Sequence, residues 1–455
     1  MQEARKERED DMVRRGQTSR MRLRAIGIAL ALAVVLVPAV AVQAQNYSVL
    51  YNFKGPSNDG ANPYAGLIQV KGTLYGTTYY GGSSTNCTYG CGTMFKLSTS
   101  PLQETVFHSF TGYTTGDGAN PRGGLVWPGA GSTLYGTTDT GGTSNYGTVF
   151  EWTGSKETVL YNFCSKQNCT DGALPYAGLL YFGPAGFNYG LWGTTNKGGT
   201  SNGGTVFWLE PNSSGSGWTE RVIHSFTGAG TDGSYPWAGL WWDGSRYFYG
   251  TTANGGAYGY GTIFKLDTSN TYWGTVTMLH SFQGSAGSDG AYPSSSTLVS
   301  DGKGNLYGTT HYGGSTKCSD GCGTVFKYDT IHGTYTPLYN FLGMWDGDGQ
   351  DPIGGLVWDA GMLYGTTFGG GDMGGGYCSG DGCGTVFQVD TKNNNKYTLL
   401  YGFSGYKGDG AGPMAGLVQD SAHNLYGTTW SGGSTAGCND WYGVGCGVVF
   451  KLTPP

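Results

Sequence analysis

Met362-Leu363-Tyr364-Gly365-Thr366-Thr367 is preceded by Ile353-Gly354-Gly355-Leu356-Val357-Trp358. After a glycine-rich stretch come Gly384-Thr385-Val386-Phe387-Gln388-Val389 and Tyr397-Thr398-Leu399-Leu400-Tyr401-Gly402-Phe403. Each of these runs is short, rich in β-branched and aromatic residues, and bounded by Gly, Asp or Asn, the pattern of strands joined by tight turns. The Leu-Tyr-Gly-Thr-Thr core, or a close variant, occurs seven times, with its glycine at Gly76, Gly136, Gly193, Gly250, Gly308, Gly365 and Gly427. The intervals are 60, 57, 57, 58, 57 and 62 residues, and a fixed period of this kind marks a repeat architecture. Seven units of four strands predict an all-β, seven-bladed propeller. No stretch shows a sustained helical period.

Aromatic residues hold fixed places in the unit. The third strand carries Phe95, Phe150, Phe207, Phe264, Phe326, Phe387 and Phe450; the fourth ends in Phe53, Phe110, Phe163, Phe226, Phe282, Phe341 and Phe403. Burying each ring stabilises by roughly 1.5–3 kcal/mol before chain entropy is counted, so one shared core is expected. The two ends of the repeat region are complementary. Tyr47-Ser48-Val49-Leu50-Tyr51-Asn52-Phe53 is a fourth strand without its first three, and Gly447-Val448-Val449-Phe450-Lys451-Leu452 is a third strand without its fourth. The N-terminal strand is therefore expected to complete the last blade and to close the ring, which removes exposed sheet edges.

Glycine makes up 86 of 455 residues, about 19% against a usual level of about 7%. That much glycine without aromatics would read as disorder; 14% aromatics at fixed positions read as a folded core. Charged residues are 12% and the net charge is −6, with no basic stripe, which argues against nucleic-acid binding. Arg22 and Arg24 precede an apolar run from Ala25 to Val42, and Val42-Gln43-Ala44 offers a small-residue cleavage site. Residues 1–44 are thus expected to be an extension plus signal peptide, and 45–455 a single exported propeller domain with no membrane span after cleavage. An uncleaved anchor is the rival reading.

Ten cysteines fall as five close pairs: Cys87/Cys91, Cys164/Cys169, Cys318/Cys322, Cys378/Cys383 and Cys438/Cys446. An even count in an exported chain predicts disulfides, each stiffening a local loop by about 2 kcal/mol rather than holding the fold; a zinc site is the alternative. With the first strand innermost, all five pairs lie in the fourth-to-first and second-to-third loops. Those two classes emerge on one face, where binding is expected.

Each fourth-to-first loop carries Asp-Gly. Recurrence in every unit makes it a turn, in which Asp bonds its own backbone and Gly supplies positive φ, rather than an acidic ring. One copy departs: Asp346, Asp348 and Asp351 stand close together, an oxygen-rich set that suits calcium. No other cofactor is expected. The residue after each loop proline differs between units: Tyr64, Arg122, Tyr176, Trp237, Ser294, Ile353 and Met414. It sits near the expected channel mouth, where rings stack on sugars and arginine holds anionic groups. Inter-blade packing is the bland alternative. Loop aromatics including Tyr79, Tyr80, Tyr89, Tyr312, Tyr377, Trp430, Trp441 and Tyr442 extend that surface. His108, His224 and His280 share a His-Ser-Phe context and read as structural. His311, beside Tyr312, is the one histidine to test. No nucleophile elbow, zinc-protease motif or Walker loop is present.

The succession Leu-Tyr-Gly-Thr-Thr…Gly-Gly…Gly-Thr-Val-Phe-Lys, then Leu-Tyr-x-Phe…Asp-Gly-Ala-x-Pro-x-Ala-Gly-Leu, resembles the GloVer tandem-repeat (choice-of-anchor) family of exported bacterial proteins, which is similar in layout to kelch-like propellers. The resemblance covers nearly all of residues 46–455. It implies fold and export, with no agreed activity; the varied C-terminal anchors of the family find no match in Thr453-Pro454-Pro455. The expected role is a monomeric, secreted or cell-surface, non-enzymatic binding module for a glycan or a surface protein. The alternatives are a polysaccharide hydrolase or lyase acting at the channel mouth, or a structural envelope component.

Overall fold

The computed structural model describes residues 46–455 apart from 58, 114–115, 184–188, 213–216, 270–273, 285–288, 294–296, 372–377, 379, 381, 406–407, 435–437 and 439–444. Gln45–Pro455 forms one compact unit. The expected signal segment lies outside the described residues, as do the rim positions Ser294, Tyr377, Trp441 and Tyr442.

The unit is a seven-bladed β-propeller. Blade one pairs Ile68–Val70, Thr73–Thr78, Thr93–Thr99 and Leu102–Ser109, antiparallel and in that order from the axis outward. Blade seven pairs Val418–Gln419, Leu425–Thr429 and Val448–Thr453, and its outer strand is Asn46–Asn52. The closing register runs from Asn46 opposite Thr453 to Asn52 opposite Val448. Two blades depart from four strands: in blade five Gly290–Pro293 also pairs with the second strand and makes a fifth, and in blade two the inner strand shrinks to a bridge between Val126 and Tyr135. Trp127-Pro128 follows directly, and proline has no N–H to carry the ladder on.

Every residue of the repeated motif has a structural task. Leu363 is fully buried and Tyr364 nearly so. Gly365 lies opposite Phe387, whose ring covers it so closely that a Cβ there would stand 2.5 Å from Cζ. The same glycine–phenylalanine pair recurs in all seven blades. In most blades the first threonine ties one blade to the next: Thr366 Oγ1 donates to the Ala415 carbonyl at 2.9 Å, as Thr137 does to Ala177 and Thr194 to Ala238, whereas the Thr77 and Thr251 hydroxyls lack a partner among the described residues. The second bonds within its blade, Thr367 to Thr385 at 2.7 Å.

Blades are joined by a ladder of rings. The fourth-strand phenylalanine of each blade meets the third-strand phenylalanine of the next edge-on, from Phe53–Phe95 at 5.0 Å round to Phe403–Phe450 at 5.3 Å. All of these rings are fully buried. Each such pair contributes roughly 0.5–1.5 kcal/mol beyond its area.

Gly60–Ala61, in the fourth-to-first loop, pairs with Tyr80–Gly81, in the second-to-third loop. Equivalent ribbons recur at Gly118–Ala119 with Thr140–Gly141 and Gly410–Ala411 with Ser431–Gly432. Both loop classes therefore share one face. Here the Asp-Gly sequence acts as a turn. Asp59 Oδ1 accepts from the Gly60 N–H at 2.7 Å, while Oδ2 accepts from the Lys54 N–H at 2.8 Å and the Tyr51 hydroxyl at 2.9 Å.

All ten cysteines are paired as their spacing predicts. Three of the bridges press on glycines just past the fourth strand: Cys87–Cys91 on Gly112, Cys318–Cys322 on Gly343, and Cys378–Cys383 on Gly405. The Cys164–Cys169 bridge is set in a different local geometry. Cys169 ends a short 3-10 turn, Gln167–Cys169, where a plain loop is expected. Both Cys164 and Cys169 have positive φ, at 58° and 52°, a conformation uncommon outside glycine. Backbone bonds hold that turn: the Cys169 carbonyl accepts from the Gly172 and Gly199 N–H groups, each at 2.9 Å. Cys446 repeats the arrangement of Cys91, Cys322 and Cys383, each of which is buried in a core cluster of its own. It is fully buried in the cluster that contains Phe53, Leu67 and Phe95. Its carbonyl accepts from the Asn62 N–H at 2.8 Å, so it sits on the seam between blades seven and one. The reason is its place in the chain, one residue before Gly447, whose carbonyl accepts from the Phe53 N–H of the closing strand at 3.1 Å. Among the described residues no helix is long and apolar enough to cross a membrane.

Candidate functional site at the channel mouth

The inner strands surround a central cavity of about 570 Å³, lined by residues from all seven blades. Its wall combines close-packed glycines and alanines with larger apolar side chains such as Leu67, Leu125, Leu179 and Leu240. Gly178 stands over the Gly124 carbonyl, and Gly416 over Gly355, so closely that a Cβ on either would come within 3.1 Å. Among the described lining residues Arg122 alone is charged, and it stands at the mouth, where the inner strands begin.

Arg122 organises one side of that mouth. Its guanidinium carbon lies 4.3 Å from the Tyr64 ring centre and 4.0 Å from that of Tyr176, with Trp237 at 5.9 Å. Nη2 donates to the Tyr64 hydroxyl at 2.5 Å. Burial works against its charge, but Tyr64 and Asp139 outweigh that and raise its pKa. The cation is therefore fixed. Tyr64 also meets Trp430 edge-on at 5.8 Å and Tyr79 at 6.3 Å. Trp430 touches Tyr79 and Tyr80, each at 6.0 Å. Five of the expected site residues, Tyr64, Arg122, Tyr176, Trp237 and Trp430, thus gather in one cationic and aromatic surface.

Asp139 completes it. The carboxyl is 3% exposed. Burial pushes it up to about 7, opposed by the Arg122 charge and by the hydrogen bond from Tyr79. Tyr79 donates to Oδ2 at 3.1 Å. Oδ1 has no hydrogen-bond partner among the described residues, and neither has Nδ2 of the equally buried Asn196 in the next blade. Leaving a polar atom buried and unpaired costs on the order of 1–3 kcal/mol. The two atoms are an unused acceptor or acid and an unused donor. Reading the sequence by motif and spacing passes over both residues. The signal that finds them is the position directly after Leu-Tyr-Gly-Thr-Thr, which differs in every unit: Tyr79, Asp139, Asn196, Ala253, His311, Phe368 and Trp430.

His311 occupies that position in blade five. It stacks on Tyr312 at 3.9 Å and sets Nε2 3.9 Å from Asp351 Oδ1. Burial pushes its pKa down to about 4, so the imidazole is neutral near pH 7. Tyr312 continues to Tyr292 at 6.0 Å, forming a second aromatic patch with contacts separate from those of Arg122.

The three aspartates of the expected calcium loop have separate surroundings. Asp348 is buried; its Oδ1 accepts from Gly349, and its Oδ2 from Tyr339 and Leu342, as in the other Asp-Gly turns. Asp346 faces Lys317 at 3.3 Å, and Asp351 lies beside His311. His108, His224 and His280 each stand next to the turn aspartate of their own blade, at 3.7, 3.5 and 3.0 Å.

The sequence profile of the Gloeobacter/Verrucomicrobia repeat matches residues 37–207 and 190–440. The chain belongs to the Gloeobacter/Verrucomicrobia repeat family. No curated protein matches this repeat protein in sequence. Among solved structures it is similar to an oligogalacturonate lyase from Vibrio parahaemolyticus, at 10% identity and a TM-score of 0.49, over 91% of this chain and 95% of that one. It is also similar to a puromycin hydrolase, at 13% identity and a TM-score of 0.48, over 83% of this chain and 52% of that one.

Proposed function

We propose that this repeat protein is exported and acts as a non-enzymatic carbohydrate-binding propeller, its ligand seated at the loop-rich channel mouth. The observation that carries the reading is the convergence of Tyr64, Arg122, Tyr176, Trp237 and Trp430, with the buried Asp139 held by Tyr79 beside them and its Oδ1 lacking a partner among the described residues. A sugar presents C–H faces to aromatic rings and hydroxyls that both donate and accept, and this surface offers counterparts to each. The five disulfides agree with an oxidising, extracellular setting. A glycan array probed with the untagged protein tests the reading. Binding that Trp430→Ala weakens about tenfold or more, the scale of a hot-spot truncation, supports it. A blank array removes it.

One observation favours a second reading, a polysaccharide hydrolase or lyase. A carboxyl poised at about 7 beside a fixed cation has the pKa of a general acid or base. That reading requires turnover of a polymer that Asp139→Asn abolishes while binding persists.

A further inference from the structure

A different arrangement lies between the outer strands of blades one and two. In every blade the fourth strand carries a Tyr or His beside the turn aspartate: Tyr51 with Asp59, His108 with Asp117, Tyr161 with Asp171, His224 with Asp232, His280 with Asp289, Tyr339 with Asp348 and Tyr401 with Asp409. Where tyrosine occurs, its hydroxyl is a further donor to aspartate Oδ2. Asp171 Oδ2, for example, accepts from Tyr161 at 2.8 Å, the Ser165 N–H at 2.8 Å and the Ser165 hydroxyl at 2.7 Å.

Asp117 keeps two of those donors and lacks the third. Its Oδ2 accepts from the Thr111 N–H at 2.8 Å and the Thr111 hydroxyl at 2.9 Å. His108 Nε2 stops 3.7 Å short and has no hydrogen-bond partner among the described residues. Glu157, four residues before Tyr161 on the next blade's outer strand, brings a third ligand atom, and its buried Oε1 is also unpartnered. One ligand atom from each of His108, Asp117 and Glu157 lies within 4.8 Å of the other two.

The sibling blades close this gap in other ways. His280 Nε2 reaches Asp289 directly at 3.0 Å, with Tyr335 stacked on the imidazole at 4.1 Å. His224 has Val276 at the place of Glu157, and Glu220 is met by Lys166 at 2.7 Å. Among the described residues, only the junction of blades one and two brings an imidazole and two carboxylates together in this way.

We propose that His108, Asp117 and Glu157 form a binding site for a divalent transition-metal ion of the zinc class, bridging blades one and two. One imidazole nitrogen and two carboxylate oxygens suit such an ion and leave a position for water. Ligands around a tetrahedral zinc stand roughly 3.3 Å apart, so rotamer adjustments of under about 1 Å bring the three atoms into place. Asp117 is already oriented by Thr111 and by the Gly118 N–H at 2.7 Å, the kind of outer support that metal ligands use. Trp152 stands 5.7 Å from the His108 ring, close enough to report occupancy.

The test uses untagged full-length protein stripped with EDTA and titrated with Zn²⁺ against a chromophoric chelator, with Trp152 quenching by Co²⁺ as a second readout. The expected result is one equivalent of Zn²⁺ bound and a higher melting temperature in its presence. His108→Tyr installs the residue native to four sibling blades, and Glu157→Val the residue native to a fifth, so both variants keep a local solution the fold already uses. Each should lose Zn²⁺ affinity at least tenfold, together with the melting shift. Absence of stoichiometric uptake, or uptake that neither variant weakens, overturns the site.

Discussion

Gly365→Ala tests whether the repeated motif is scaffold. The glycine is not in the positive-φ region, so alanine brings no backbone strain. A Cβ at this position would stand 2.5 Å from Phe387 Cζ, 2.9 Å from its Cε1 and 2.8 Å from Leu356 Cδ2. Carbon atoms prefer about 3.5–4.0 Å, so the ring must retreat by about 1 Å. Phe387 is fully buried and packs edge-on against Phe341 at 5.1 Å, which leaves no free direction. Overpacking of this kind costs about 1–3 kcal/mol, and the lost freedom of the unfolded chain returns about 0.4–1 kcal/mol. The net expected loss is on the order of 1–2 kcal/mol, read as a lower guanidinium midpoint at unchanged slope. Phe387→Leu should also destabilise, by opening space. Combined, the two should cost less than their sum by about 0.5 kcal/mol or more, because the smaller side chain makes room for the new methyl. Gly183→Ala is the control: its nearest neighbour would be Tyr181 Cε1 at 3.9 Å, and no loss is expected. A neutral Gly365→Ala, or strict additivity with Phe387→Leu, refutes the reasoning.

Two further outcomes follow from the same geometry. Asp139 titrates at about 7 when folded and near 3.9 when unfolded. Between those values the unfolded chain gives up a proton that the folded one keeps, so this group's contribution falls as pH rises from about 4 to 7 and is level above. Asp139→Asn removes that loss, and its stability relative to the parent, measured by urea unfolding, should grow by a few kcal/mol across that window; a constant difference contradicts it. Deleting residues 46–53 strips the outer strand from Val448–Thr453 and removes the Tyr47–Asp409 bond of 2.8 Å. It also uncovers Phe450, which is fully buried. The truncated chain should aggregate or lose cooperative unfolding by size-exclusion and circular dichroism, and a monomer of undiminished melting temperature contradicts ring closure.

The architecture is readable from the chain because its determinants are local and repeated. Gly365 and Phe387 recur at matched places in every unit, and the unmatched strands around Tyr47 and Phe450 reveal how the ring shuts. The Asp-Gly turns follow from short-range chemistry in the same way, and so does the pairing of the cysteines. What the sequence conceals is the burial of Cys91, Cys322, Cys383 and Cys446, which depends on the neighbouring blade packing against each. The inner edge of blade two escapes this reading because one proline, Pro128, decides it. The mouth is harder. Arg122 and Trp237 are visible as departures from the repeat, but Asp139 and Asn196 matter through burial and missing partners, which arise only when the blades converge. Asp346, Asp348 and Asp351 show the converse: closeness in sequence gives each a different neighbour once the turn forms, since Asp348 is drawn inward by Tyr339 and Asp346 outward to Lys317.

The claim that the variable mouth is the binding surface is tested most directly by one comparison on a glycan array. The parent, Asp139→Asn/Trp430→Ala at the mouth, and Trp127→Ala on the opposite face, where Trp127 lines a cavity of about 440 Å³ with Lys71 and Lys96, are measured side by side. The account predicts glycan binding that the mouth variant loses and the Trp127 variant keeps, all three with closely similar far-ultraviolet circular dichroism. Binding that survives the mouth changes, or that vanishes with Trp127, contradicts it.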